Sequence, residues 1–182
     1  TGWQDYFPSL YGGVRSVRPG FGGVDSIALP VDFVKLTRNV VLCYTGKPRQ
    51  SGANNWKVMK QALDGDRSVR NKLKQIADIS REMEHTLSKG NMKQVATLFG
   101  REWKARKALT PAISTPQMDR LIAGAMKCGA LAAKVCGAGG GGCVAFMVPP
   151  SKKESVAAEL TRCGGRVIDF RFVQRGLRLR KK

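Results

Sequence analysis

Acidic side chains are scarce in this sequence. Asp and Glu number 13 against 32 Lys and Arg, which leaves a formal net charge of +19 across 182 residues. Such a surface attracts polyanions: nucleic acid, anionic lipid or phosphorylated small molecules. The positive charge is dispersed and densest in the closing "RFVQRGLRLRKK", which reads as solvated faces plus a basic tail before it reads as a nucleic-acid groove. No basic stretch is interleaved with aromatics that stack on bases, which counts against a dedicated nucleic-acid binder. Long apolar runs are missing too. None approaches the roughly 20 residues a membrane-crossing helix needs, and the first residues carry no signal-peptide pattern, so no membrane partner is expected. The single histidine, His85, lies on a charged stretch that signals no partner, and it is expected to be exposed. The cysteines (Cys43, Cys128, Cys136, Cys143 and Cys163) are odd in number and match no zinc spacing. They are expected as reduced, mostly buried thiols of a cytoplasmic protein, with no metal site among them.

What is present is an ordinary globular mixture, 42% apolar and 25% charged, in a length that suits one domain or a domain plus part of another. The chain starts at Thr1 and opens directly into patterned sequence, as a processed product or an excised segment would. Trp3, Tyr6, Phe7, Leu10 and Tyr11 recur on one helical face. Pro8 falls inside that helix and should free a carbonyl or kink it, and Gly12-Gly13 ends it. "VRSVRPGFGGVDSIALPV" is punctuated by turns and suits one or two short strands. "NVVLCYT" reads as a buried strand.

Three helical patterns follow. The first covers about Ala53 to Leu63, the second carries Val69, Leu73, Ile76, Met83 and Leu87, and the third carries Met92, Val95, Phe99 and Trp103. A fourth has Thr115 as N-cap, Pro116 at its first position, Asp119 in its first turn and Gly129 after its end. Strands over 130–136 and 143–148 flank a glycine run. Ser151-x-x-Glu154 reads as a capping box opening a helix to about Cys163, and "RVIDFRFV" closes with Ile168, Phe170 and Phe172 alternating. From residue 39 the order is β, helices, β, β, α, β. That is an α+β, ferredoxin-like split βαβ fold with extra helices in the first crossover. Residues 1–35 are expected to belong to a preceding domain and 36–182 to this one.

The glycine run, "CGAGGGGC", is the least ordinary stretch. Gly137 to Gly142 satisfies G-x-G-x-x-G trivially, but the dinucleotide fingerprint needs a helix next, and here "CVAFMV" follows as a strand. No G-x-x-x-x-G-K-[ST] occurs either. A flexible hairpin needs only one or two glycines. The larger number favours a loop whose bare backbone lets something approach closely and collect several N–H donors, as phosphate oxygens do.

"KVCGAGGGGCVAFMV" resembles the third motif of the GHMP kinases, the superfamily of galactokinase, homoserine kinase, mevalonate kinase and phosphomevalonate kinase. "GWQDYFPSLYGG" is similar to the segment of these kinases that carries an acidic residue near the acceptor hydroxyl. "YTGKPRQSG", "WKARKALTPAISTPQMDRLIAGAMKCGALAAKVCGAGGGG", "VPPSKKESV" and "GGRVIDFRFVQRGLRL" together resemble the sugar-kinase branch that contains D-glycero-D-manno-heptose 7-phosphate kinase. The resemblance covers nearly the whole chain and implies a GHMP kinase C-terminal domain.

It also implies ATP-dependent phosphoryl transfer to a sugar or sugar phosphate, with ATP and Mg2+ as cofactors. The family's P-x-x-x-G-L-G-S-S phosphate loop has no counterpart here, so an N-terminal half of the same kinase is an expected partner, and this chain alone is expected to be inactive. By the same resemblance Gly137, Ala138, Gly139, Gly140, Gly141 and Gly142 lie near the nucleotide phosphates, and Asp5 matches the catalytic carboxylate. Without the match Asp5 would be a solvated first-turn acid. Arg49 either grips the acceptor or its phosphate through its planar fork or is a plain surface arginine. Lys134 is expected to point to solvent, and Trp103 and the helical methionines to lie in the core. The alternatives are a non-catalytic polyanion- or nucleic-acid-binding module on the same fold, and another GHMP branch.

Overall fold

The computed structural model of the chain describes residues 3–48 and 51–179. Helix α1 (Trp3–Tyr11) leads into a two-stranded hairpin, β1 (Arg15–Gly20) and β2 (Gly23–Ala28), then a short helix α2 (Phe33–Arg38) and strand β3 (Val40–Tyr44). Four helices separate β3 from the next strand: α3 (Ser51–Leu63), α4 (Arg67–Ser88), α5 (Met92–Lys107) and α6 (Pro116–Lys127). Strands β4 (Ala132–Val135) and β5 (Cys143–Met147), helix α7 (Lys153–Arg162) and strand β6 (Arg166–Ile168) complete the order. No described helix is long and apolar enough to cross a membrane.

The main sheet runs β4-β5-β3-β6 and every pairing in it is antiparallel. Its first and last strands in sequence lie side by side, which is the split βαβ topology expected from the order of elements. Both faces are covered, so "VVLCY" reads as a continuous apolar run rather than an alternating one. One face buries Val41, Cys43, Ala133, Val135, Val144 and Phe146 against Met118, Leu121 and Ala125 of α6 and Val156 and Leu160 of α7. The other buries Val40, Ala132 and Met147 against Met92, Val95 and Ala96 of α5 and Leu36 of α2.

Local chemistry explains the boundaries. The Thr115 hydroxyl accepts the Met118 N–H at 3.2 Å, Pro116 follows at the first helical position, and Asp119 sits in the first turn. Asp66 and Asn91 cap α4 and α5 in the same way. Helix α6 comes close to α7 because Gly124 has no side chain: a Cβ there would stand 2.9 Å from Glu159 Oε1 and 3.0 Å from Cys163 Sγ.

Three sequence expectations change. Helix α2 was not anticipated; it is six residues long and capped by Asp32, whose carboxylate accepts the Lys35 N–H at 2.9 Å. Ser151 does not cap α7: a 3-10 turn (Pro150–Lys152) precedes the helix, and Lys152 occupies the cap position with no side-chain hydrogen bond. The last strand stops at Ile168, and beyond it Phe170 and Phe172 pack on the second cluster without a ladder. Pro8 lies inside α1, as expected.

Candidate active site

The glycine run forms the bend between β4 and β5. Gly137, Gly139, Gly140, Gly141 and Gly142 all have positive φ, from 74° to 153°, a region that side chains rarely enter. The bend is moored by its own chain. Gly140 N–H donates to the Ile113 carbonyl at 3.0 Å and Gly142 N–H to the Lys47 carbonyl at 2.8 Å, while Thr45 N–H donates to the Gly142 carbonyl at 2.9 Å. A Cβ on Gly139 would overlap the Ile113 carbonyl oxygen, and one on Gly141 the Pro48 carbonyl oxygen.

The close neighbour that the sequence implied is therefore, at these two positions, the protein's own backbone. Two of the amides expected to face a ligand are spent on these moorings. The N–H groups of Gly137, Ala138, Gly139 and Gly141 have no partner among the described residues. Gly137 is exposed and Ala138 half-buried, so their amides are the accessible ones for an anion, whereas Gly139 and Gly141 are buried.

Asp5 lies exposed in the first turn of α1. Its own carbonyl accepts the Ser9 hydroxyl at 2.7 Å. Helix α1 is positioned by β1 and by the chain after β6: Gly13 N–H donates to the Val173 carbonyl at 2.9 Å and Leu177 N–H to the Ser9 carbonyl at 3.0 Å. Asp5 and the bend are thus held by different parts of the fold. Arg49 lies outside the described residues. His85 is exposed, as expected, and Trp103 and Met92 are buried, whereas Met126 and Met59 are exposed. No group of three His, Cys, Asp or Glu is arranged to hold a metal among the described residues.

Lys134 does not point to solvent. Its Nζ lies 2.7 Å from Glu102 Oε2, and Arg106 donates its Nε–H to Glu102 Oε1 at 2.6 Å. Burial pushes the Lys134 ammonium below its ordinary value, the Glu102 carboxylate opposes that shift, and the Arg106 charge adds to it. This triad forms the charged wall of a cavity of about 530 Å3 between α4, α5 and the sheet, otherwise lined by apolar groups such as Ile79, Met83, Phe99 and Phe172. Two cations share one carboxylate, so the triad keeps a net positive charge on this wall. The sequence signals half of it, because Glu102 and Arg106 stand at i, i+4 on α5. That Lys134 completes it from β4 depends on tertiary packing.

The bend and the fold around it have counterparts in known proteins. Residues 83–166 match the family described as GHMP kinases C terminal. D-glycero-alpha-D-manno-heptose 7-phosphate kinase of Campylobacter jejuni is 27% identical over 144 residues, 79% of this chain and 42% of that protein. Among solved structures, mevalonate kinase of L. major in complex with R-mevalonate superposes with a TM-score of 0.71 at 16% identity, over 84% of this chain and 45% of that one. A D-glycero-D-manno-heptose 1-phosphate kinase from Bacteriodes thetaiotaomicron superposes with a TM-score of 0.62 at 21% identity, over 100% of this chain and 50% of that one. The chain spans half or less of the length of these relatives. The matched segment takes in α5, α6, the glycine bend and α7, so this part of the chain is similar to the C-terminal region of the GHMP kinases, and the chain shares the fold of the superposed structures.

Proposed function

We propose that this chain is the acceptor-side part of a GHMP-type sugar kinase, which transfers the γ-phosphoryl group of ATP to a hydroxyl of a sugar or sugar phosphate. One observation carries the reading: a glycine bend moored by its own chain that leaves four amides without a partner among the described residues, those of Gly137 and Ala138 at the surface side. Phosphoryl transfer asks the protein mainly for alignment and for donors on the phosphate oxygens. The amides of Gly137 and Ala138 would serve the phosphates. The acceptor oxygen forms its bond to phosphorus as the bridging oxygen leaves with ADP, and Asp5 takes the acceptor's proton. Arg49 would hold the acceptor or a phosphate on it. Mg2+ would travel with ATP, coordinated largely by phosphate oxygens and water; no residue of this chain is assigned to it.

An N-terminal half of the same kinase would supply the phosphate loop that these 182 residues lack. The exposed apolar side of α1, where Trp3, Tyr6, Leu10 and Tyr11 are each at least half exposed, gives that half a surface to cover. On this reading residues 1–35 complete the preceding domain, 36–182 form the C-terminal domain, and the enzyme is cytoplasmic.

The test is a coupled ATP-turnover assay over sugars and sugar phosphates with both halves present. Asp5→Asn should lower kcat by about 100-fold or more while KM for the sugar changes little. Undiminished turnover in that variant would remove Asp5 from the mechanism. The net charge of +19 favours a second reading, a polyanion-binding module. That reading expects this chain alone to bind heparin or RNA with an affinity that falls steeply with salt, whatever its partner half does.

A further inference from the structure

A pocket lined by basic and polar groups lies beside the bend, next to the segment whose Thr45 and Lys47 backbone moors it. A pocket of about 550 Å3 opens between the end of β3, the N-terminus of α6 and the end of α7, lined by Thr45, Lys47, Thr115, Gln117, Arg120 and Cys163, with backbone at Gly46, Pro116 and Gly164. No acidic residue lines it. Lys47 and Arg120 have no carboxylate partner among the described residues; Arg120 reaches only the side-chain oxygen of Gln117. Helix α6 points its N-terminus here. The Thr115 hydroxyl caps the Met118 N–H and Pro116 has no N–H, which leaves the Gln117 N–H without a partner among the described residues.

The observation that asks for a ligand is Thr45. It is only 4% exposed, it lines the pocket, and its Oγ1 has no hydrogen-bond partner among the described residues. A buried hydroxyl left unpaired is costly, and Thr45 shares this pocket's lining with Lys47, Arg120 and the N-terminus of α6. Gly46, at φ +84°, has nothing within 4 Å of the place a Cβ would take, so the mouth is open at that point.

We infer that this pocket binds the phosphate group of a small phosphorylated ligand. Two cations balance a dianion, the hydroxyl of Thr45 and the amide of Gln117 supply donors, and the partial positive charge of the helix end adds to both. The inference stands apart from the kinase reading, since binding here needs neither ATP nor turnover. It goes beyond that reading by giving the molecule a phosphate site separate from the open amides of the bend.

Titration of the 182-residue chain with inorganic phosphate, glucose 6-phosphate and glucose, followed by calorimetry and thermal shift at low salt, tests it. Both phosphate-bearing probes should bind and raise the midpoint, and glucose should do neither. Tighter binding of glucose 6-phosphate assigns the site to a phosphorylated metabolite, and tighter binding of inorganic phosphate to the free ion; either supports a phosphate site. Lys47→Ala and Arg120→Ala together should weaken phosphate at least about tenfold.

Thr45→Val separates a ligand role from a structural one. It should raise the midpoint of the unliganded chain, by removing an unsatisfied hydroxyl, and still weaken phosphate. No phosphate binding by the parent chain would overturn the inference, as would equal binding in the Lys47/Arg120 double variant or Thr45→Val binding phosphate as tightly as the parent.

Discussion

At the scale of single residues, the glycines of the bend divide by what surrounds them. Gly139 and Gly141 combine positive φ with a backbone carbonyl where a Cβ would go, whereas Gly13 has φ +75° with nothing within 4 Å. Gly13→Ala should therefore cost only the left-handed strain, about 1–2 kcal/mol. Gly139→Ala and Gly141→Ala should cost clearly more and unmoor the bend from Ile113 and Lys47, which urea unfolding and amide exchange at Gly140 and Gly142 would report.

Glu102 makes a different residue-scale case. It is 8% exposed and holds two cations, so Glu102→Gln leaves Lys134 and Arg106 half-buried without their shared counter-charge. Removing one member of a buried pair costs on the order of 3–5 kcal/mol. Because both cations keep some solvent contact, a loss of about 2–3 kcal/mol in urea unfolding is expected. Cys43 is simpler: burial pushes its thiol up to about 11. In the folded chain at pH 8 it should resist iodoacetamide, and rapid labelling detected by mass spectrometry would contradict the packing of the sheet's inner face.

At the scale of elements, the hairpin β1–β2 is tied to α4 through one carboxylate. Glu84 accepts the Ser16 hydroxyl at 2.7 Å and pairs with the Arg18 guanidinium, and these hydrogen bonds, Arg18 first and Ser16 second, hold its carboxyl below the usual range. A depressed folded value means that the tether contributes above the unfolded carboxyl's pKa and is lost as pH falls through the folded one. Acidification below about pH 4 should loosen the hairpin from α4, and Glu84→Gln should do so at neutral pH. Limited proteolysis in residues 15–28 would read both, and a variant as resistant as the parent would mean that other contacts hold the hairpin.

The same scale shows what the sequence makes legible. Helix α6 is readable because its caps are local chemistry, and β3, β4 and β5 because their apolar runs are bounded by turns. Helix α2 is not readable, since six residues give too few turns for periodicity to register. Phe170 and Phe172 alternate like a strand because both face the core, yet alternation reports facing and not pairing. The bend was legible as a bare backbone. That its moorings come from 45–48 and Ile113, both more than 20 residues earlier in the sequence, was not, and neither was the pairing of Lys134 with Glu102.

For the whole molecule, the surplus of basic over acidic residues sets a condition that no single contact relieves. The ion pairs on the surface, such as Lys60–Asp64 and Lys74–Asp78, are exposed and contribute little each, while a net charge of +19 makes the compact state repel itself. These effects respond to salt with opposite signs. Raising NaCl from about 10 mM to about 0.15 M shortens the screening length from roughly 30 Å to roughly 8 Å, which weakens repulsion spread over the whole surface more than attraction across a few ångströms. The midpoint of thermal unfolding should therefore rise with NaCl, by a few degrees if repulsion costs about 1–2 kcal/mol at this size. Chloride is the right counter-ion for this measurement, because phosphate would add binding at the Lys47–Arg120 pocket to the screening effect. A midpoint that falls with NaCl would mean that the local pairs outweigh the global surplus, so that the basic surface is not a strained state awaiting a polyanion.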